Sequence, residues 1–332
     1  MDHKWNSNFW KFNWIIKPIT KKDINFIKNE ILSINLEDKN VKTKTQEISF
    51  DFLIISMGAV LAPQRIPGLE ENGFNLYDHN HLLEIREKLE SIESGKIAIS
   101  IMGMPYKCPP APFEASLLID SMLRKRGIRN SVQIDFYSPA PITLPAAGLE
   151  VSKQILELVN SEQIIFHDSC KIKSVKSKKL IFENSEADFD LLLAVPPHIA
   201  PKVIYDSGLA KESEFIPIDR DCKTSFENVF AIGDVTSLAV VENMAVPKAG
   251  IFAEGEGITV AKNIISKIQS KEESALFDGK GGCFIESGRD TASVIEVDMF
   301  SQPKPTISLT KSTSNNLSKK IEFEKERLSK WL

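Results

Sequence analysis

The feature that most restricts this chain is the run Asn228-Val229-Phe230-Ala231-Ile232-Gly233-Asp234-Val235-Thr236. Its continuous apolar centre reads as a strand buried on both faces, which is the habit of parallel sheets in α/β proteins. The run stops at Gly233-Asp234 and so places a carboxylate at a strand's carboxyl end, where such sheets bind ligands. An Asp there can accept hydrogen bonds from a polyol chain; the plainer alternative is that it caps the following turn. Phe50 to Ala59 has the same character, with the apolar centre Phe52-Leu53-Ile54-Ile55, and predicts a second central strand, buried on both faces and ending at Gly58.

Around these strands the pattern alternates. Asn25 to Leu36 and Val41 to Ser49 read as exposed strands joined by the turn chemistry of Asp38-Lys39-Asn40, a small antiparallel meander. Helices are predicted over His79 to Ser91, Phe113 to Arg126 (closed by Gly127) and Glu150 to Ser161. Strands at Lys96 to Met102, Val132 to Tyr137, Ile164 to His167 and Phe189 to Val195 interleave with them. A further helix spans about Lys248 to Ser270, and Ala275 to Leu332 reads as a small β-rich cap with a charged C-terminal helix. The aromatic stretch Trp5 to Ile16 has no stable period. The expected class is α/β.

Composition narrows the function. A chain of 332 residues with 42% hydrophobic content can bury more than one core. Its formal net charge is only −4, so no long-range positive field attracts nucleic acid or anionic lipid. Cys108, Cys170, Cys222 and Cys283 lie far apart and form no CxxC or His-containing metal pattern. Without a signal peptide ahead of them, a reducing, cytoplasmic compartment is expected. No apolar run approaches the roughly 18 to 20 residues that span a bilayer.

Together with Met244-Ala245-Val246-Pro247-Lys248-Ala249-Gly250, which opens a helix, the Gly233-Asp234 run resembles the second FAD signature of flavoproteins with two dinucleotide-binding domains. Within that pyridine nucleotide-disulfide oxidoreductase group it is most similar to the sulfide:quinone oxidoreductase and flavocytochrome c sulfide dehydrogenase branch. Ile54 to Ala59 followed by Ile66-Pro67-Gly68-Leu69 is similar to the family's strand-to-crossover signature in both order and spacing. The resemblance implies FAD, with Met57, Gly58 and Ala59 near its adenosine and phosphate part and Gly233 and Asp234 at the ribityl chain. It also sets Val246, Pro247 and Lys248 near the isoalloxazine ring, where a positive Lys248 would stabilise reduced, anionic flavin. The implied fold is two Rossmann-like, three-layer domains, the first incomplete, plus a small β-rich C-terminal region. Residues 1–75 and 201–272 form the two parts of the FAD-binding domain, 76–200 the middle domain, and 273–332 the cap and tail helix.

After Lys96 to Met102 a nicotinamide-binding enzyme carries GxGxxG, so that a pyrophosphate rests on a helix N-terminus. This chain has Gly103-Met104-Pro105-Tyr106-Lys107-Cys108-Pro109-Pro110, in which prolines and a Tyr fill positions that need glycine. Electrons are therefore not expected to come from NADH. Cys108 takes the place of the family's first redox cysteine, and its helix N-terminus and Lys107 predict a lowered thiol pKa; against this stands the usual fate of a lone thiol, burial. Glu114 reads as a proton shuttle or as a first-turn acid favouring the helix dipole. A second redox cysteine is expected in the helix after the Pro-Lys signature, yet Gly257 to Ala261 has none. Cys170, Cys222 and Cys283 are expected to be structural or surface residues, with Cys222 and Cys283 left open as partners. His198, ending Val195-Pro196-Pro197-His198, is a candidate proton donor to a quinone or a solvent-exposed loop histidine.

Leu317, Ile321, Leu328 and Trp331 recur at helical spacing near the C-terminus. They form either an interfacial helix touching lipid or one packing on the protein or a dimer partner, and the narrow face with mixed charges favours the second. The expected partners are a small-molecule reductant, a quinone as candidate acceptor and a second copy of the chain, with any membrane contact peripheral and on the inner face. No GxGxxG occurs in the chain, although the family's first strand, loop and helix carry one. The expectation is an N-terminally truncated chain that binds FAD weakly, and the alternative function is that of an inactive remnant with a structural or binding role.

Overall fold

A computed structural model describes residues 24–211, 214–241, 244–271 and 274–331, so the Trp5 to Ile16 stretch lies outside the described residues. The larger sheet has five parallel strands, in the order Phe74–Asn75, Leu191–Val195, Gly95–Ile101, Val132–Tyr137 and Ile164–His167. Side chains alternate across a strand, and the two faces meet different partners. Ile97, Ile99, Ile101, Leu191, Leu193 and Val195 face the helices Leu82–Ser91, Ala111–Lys125 and Gly148–Ser161. Within that layer Phe113 stacks on Phe136 with ring centres 4.4 Å apart. Ala98, Met102, Leu192 and Ala194 instead face the antiparallel meander Ile172–Lys176, Lys179–Phe182 and Glu186–Asp188, through Val175, Leu180 and Phe182. The middle unit is thus helix, sheet and meander in three layers.

A second core joins the two runs that dominate the sequence. Leu53–Ile55 pairs in parallel with Val229–Ala231, Ile55 opposite Ala231, and Ile216–Ile218 pairs in parallel with Thr236–Val241. The helix Gly250–Ile268 and the meander Ile31–Asn35, Asn40–Thr43 and Glu47–Ser49 pack against them. The expectation of a fully buried strand from Phe50 to Ala59 is corrected here. Only three residues are strand, and Ile54 is 46% exposed while Ile55 is 3% exposed. Among the described residues Leu53–Ile55 has one partner strand, and the face that Ile54 presents is left uncovered.

The two cores are bridged by a crossing of two short strands, Val60–Leu61 antiparallel to His198–Ile199, extended by the Ala62 N–H donating to the Pro197 carbonyl at 2.8 Å. The loop after Gly95–Ile101 rests on this crossing. A Cβ at Gly103 would come within 2.9 Å of Pro197 Cα, so only glycine allows that approach.

The C-terminal region is a three-stranded antiparallel sheet, Lys280–Gly288, Thr291–Asp298 and Thr306–Leu309, followed by the helix Ser314–Trp331. The packed face of that helix matches the apolar one read from the sequence only at Leu317, which is half-buried, and the side chain of Trp331 lies outside the described residues. Asn316 is buried, and Lys320, Phe323 and Arg327 are half-buried at the same helical spacing, while Ile321 and Leu328 are 40% and 38% exposed. Phe323 meets Phe284 edge to face at 5.6 Å, and Arg327 and Lys330 both reach Glu254 on the helix Gly250–Ile268. Among the described residues no helix is long and apolar enough to cross a membrane.

Candidate active site

The carboxyl ends of Leu53–Ile55 and Val229–Ala231 lie side by side, so their register alone sets Met57, Gly58 and Ala59 next to Gly233 and Asp234. The Ile232 N–H donates to the Ile55 carbonyl at 2.9 Å and continues the pairing. Gly58 adopts φ +67°, a left-handed conformation that side-chain-bearing residues rarely hold, with open space beside it. Asp234 is half-buried, and among the described residues nothing donates a hydrogen bond to its carboxylate. Burial raises its pKa, against the opposing pull of Lys248 and Lys107. The Gly-Asp turn is pinned from behind by a residue the sequence reading missed: Glu256, 2% exposed, accepts from the Gly233 N–H at 2.6 Å. Burial lifts Glu256 to about 7, with the Gly233 hydrogen bond and Lys248 working the other way. An acid on the same helical face as Phe252 and Val260 was a readable signal of a buried polar role.

Lys248 is 7% exposed, and its ammonium donates to the Asp234 and Thr236 carbonyls at 2.7 and 2.9 Å. It also lies 3.3 Å from the centre of the Phe215 ring, an arrangement that compensates a buried cation. Burial pushes it down to about 8, while Asp234 and Glu256 pull it back up, so the side chain remains largely protonated at neutral pH. Val246 is tied to Leu238 by its N–H at 2.8 Å, and Pro247 is half-buried beside it.

Cys108 joins this cluster through its backbone: its N–H donates to the Lys248 carbonyl at 2.7 Å, and its own carbonyl accepts from the Tyr77 hydroxyl at 3.1 Å. The residue sits at φ +47°, strained for a side-chain-bearing residue, and is exposed at the surface. The expected lowering of its thiol pKa is overturned. Desolvation by the surrounding protein, Glu114 and Asp234 push it up, although solvent access tempers the desolvation; the Ala111 N–H and Lys320 pull the other way. Lys107 is not the helping cation, because it lies toward Tyr77, 6.0 Å from the ring centre.

Cys283, expected to be a structural or surface residue but left open as a partner, lies close enough to Cys108 and Glu114 for both to weigh on its thiol, which burial in the first place pushes up to about 12. It lines an apolar cavity of about 40 Å³ with Pro109, Pro110, Pro247 and Ala249, which links the Cys108 loop to the Pro-Lys segment. Both cysteines are free thiols. Cys222 is fully buried and Cys170 lies half-buried beside the second meander, and neither lines this cavity. A larger cleft of about 470 Å³, lined by Gly95, Arg129, Gln133 and Gln163, opens at the opposite, amino-terminal end of the parallel strands, away from all of these residues.

His198 is 5% exposed and packs edge to face on Tyr77 at 5.4 Å. It is therefore not a solvent-exposed loop histidine. Burial drives it down to about 4, and Lys107 and Lys248 add to the push against the pull of the Pro196 carbonyl. That carbonyl, 2.9 Å from Nδ1, can only accept, so the proton sits on Nδ1 and buried Nε2 is an acceptor without a partner among the described residues.

No protein-family model matches the chain. The sulfide-quinone reductase of Aquifex aeolicus is 26% identical over 302 residues, covering 84% of this chain and 70% of that protein. The mitochondrial sulfide:quinone oxidoreductase of Dictyostelium discoideum is 30% identical over 244 residues, 69% of this chain, and the chain spans only 54% of its length. The crystal structure of the Aquifex aeolicus sulfide:quinone oxidoreductase superposes with a TM-score of 0.85 at 25% identity, covering 95% of this chain and 77% of that one. Over most of its length the chain is similar to sulfide:quinone oxidoreductases and shares the fold of the Aquifex aeolicus enzyme, and its Gly-Asp and Pro-Lys segments meet where Lys248 binds the Asp234 carbonyl; these likenesses make it an FAD-dependent oxidoreductase of the kind those relatives represent.

Proposed function

We propose that this chain is an FAD-dependent oxidoreductase that takes electrons from sulfide or a related small reductant at Cys108 and Cys283 and delivers them to a quinone or another acceptor. The observation that carries this reading is the Cys108 N–H bound to the Lys248 carbonyl, which fastens a reactive thiol to the Pro-Lys segment. The residues present fit the ribityl and ring half of FAD. Asp234 offers an unengaged carboxylate for a polyol, and Lys248, Pro247 and Val246 would line the ring with a buried positive charge. Bound FAD would supply the two-electron acceptor.

The protein's own residues then handle sulfur and protons. Joining a sulfide sulfur to Cys108 Sγ makes one S–S bond, giving a persulfide, and releases two electrons and two protons. Glu114, half-buried in the first turn of Ala111–Lys125 with its pKa raised by burial, is placed to take one of those protons. Cys283 can accept the outer sulfur by exchange, which regenerates the Cys108 thiol without further change in electron count. The cavity at Cys283 is lined mainly by apolar side chains, among them Pro109, Pro110, Pro247 and Ala249.

Chain-wide similarity favours this reading over a remnant with a binding role. NADH as donor is the second reading, and it is disfavoured by the loop Gly103 to Pro110, which offers prolines where a pyrophosphate needs glycines. Quinone as acceptor is supported by the quinone-reducing relatives, and peripheral contact with the inner membrane face rests on the same likeness, with Ile321 and Leu328 exposed on the tail helix. A homodimer remains part of the same proposal. The test is anaerobic: protein reconstituted with FAD should bleach on adding sulfide and stay oxidised with NADH. Failure to retain flavin, or bleaching by NADH alone, would overturn the proposal.

A further inference from the structure

The tail helix contributes a charge to the thiol site from the far end of the chain. Lys320 Nζ lies 2.5 Å from Glu114 Oε1 and 2.8 Å from Glu286 Oε2. Glu114 belongs to the helix that begins just after Cys108, and Glu286 to the strand that carries Cys283. One ammonium therefore ties together three elements: the Ala111–Lys125 helix, the Lys280–Gly288 strand and the Ser314–Trp331 helix. Lys320 occupies the packed face of its helix beside Phe323, whose ring is fixed against Phe284, the neighbour of Cys283. This is the face that apolar periodicity did not reveal.

We propose that Lys320 is a positioning residue of the thiol site: it holds Glu114 as a carboxylate turned toward Glu286 and supplies the positive charge that lets Cys108 ionise. The inference rests on reading Cys108 as the reactive thiol. The groups facing Lys320 are Glu114 and Glu286, and the charges of Cys108, Cys283 and Asp234 complete the surroundings. Burial works against the Lys320 charge, yet Glu114 and Glu286 outweigh it and lift the pKa above the ordinary value, which favours the charged form. Lys320 opposes the upward push of Glu114 on Cys108. Without it, the carboxylate of Glu114 beside Cys108 would lose the cation that bridges it to Glu286.

The experiment follows alkylation of Cys108 by a neutral reagent against pH, resolved by peptide mass spectrometry in the full-length chain, and it needs neither flavin nor turnover. Lys320→Gln should raise the midpoint by about one unit, and Lys320→Arg should keep it within about a few tenths of the wild type. Glu114→Gln combined with Lys320→Gln should bring it back down, since the charge that Lys320 answers is gone. Arg327→Gln with Lys330→Gln loosens the same helix at Glu254 and should leave the midpoint in place. An unchanged midpoint in Lys320→Gln overturns the proposal. So does an equal shift in the Arg327 and Lys330 variant, which would mean that the helix acts only by docking. If Cys108 proves dispensable for sulfide oxidation while these shifts are found, the functional reading fails and the electrostatic one stands.

Discussion

Replacing Cys108 by Ser is expected to slow sulfide-driven flavin bleaching by roughly 10³-fold or more, because the S–S bond then has no sulfur on the protein to form on. That factor corresponds to about 4 kcal/mol of lost transition-state stabilisation. The backbone contacts that hold the loop, Cys108 N–H to Lys248 and Tyr77 hydroxyl to the Cys108 carbonyl, do not involve the side chain. Ser should therefore leave the flavin spectrum and the fold as they are. Cys283→Ser should behave differently: a first bleaching persists, because Cys108 can still take up sulfur, but successive turnovers slow as the outer sulfur has no thiol to move to. Cys170→Ser, distant from the cavity, serves as the control with a rate within about twofold of the wild type. Equal bleaching rates in Cys108→Ser and the control would remove Cys108 from the mechanism.

The second large effect concerns Glu256. Its carboxyl sits at about 7 in the folded protein against an ordinary value near 4.5. A carboxyl whose folded pKa is raised contributes stability that is fully present below the ordinary value and is lost as pH rises through the folded value. The wild type should accordingly lose up to about 3 kcal/mol between pH 4.5 and 7 from this group, an upper figure because Lys248 lies nearby. Glu256→Gln keeps an acceptor for the Gly233 N–H and removes the ionisation. Its unfolding midpoint in urea should be nearly flat across that range and higher than the wild type's at pH 8. Glu256→Ala should instead lose about 1–3 kcal/mol at pH 5, since the buried N–H is left without a partner. A wild-type midpoint that does not fall between pH 5 and 8 would contradict this assignment.

The parallel strands were legible because continuous apolar runs such as Leu191 to Val195 have few other ways to be buried. The Gly233-Asp234 turn was legible because a carboxylate at that point has chemical meaning without further context. Ile54 was misread because periodicity reports what a residue prefers, whereas its exposure depends on which elements cover the sheet. The placing of two site residues, Cys283 and Lys320, was hidden for a related reason. Cys283 and Lys320 reach the Cys108 loop only through the tertiary docking of the C-terminal sheet and helix. Lys107, adjacent in sequence, turns instead toward Tyr77. Sequence left His198 open between a pocket and an exposed loop because the crossing of Val60–Leu61 and His198–Ile199 that buries it joins segments far apart in the chain. In the tail helix the packing face is built from Asn316, Lys320, Phe323 and Arg327, where ion pairs replace the apolar stripe that sequence patterns detect.

The central claim, that sulfide sulfur is captured between Cys108 and Cys283, is tested most directly by peptide mass spectrometry of FAD-reconstituted protein exposed anaerobically to sulfide. The account predicts that the peptide containing Cys108 carries an added sulfur, or is joined to the peptide containing Cys283 through one or more added sulfur atoms. Bleached flavin with both cysteines recovered as unmodified thiols would contradict it.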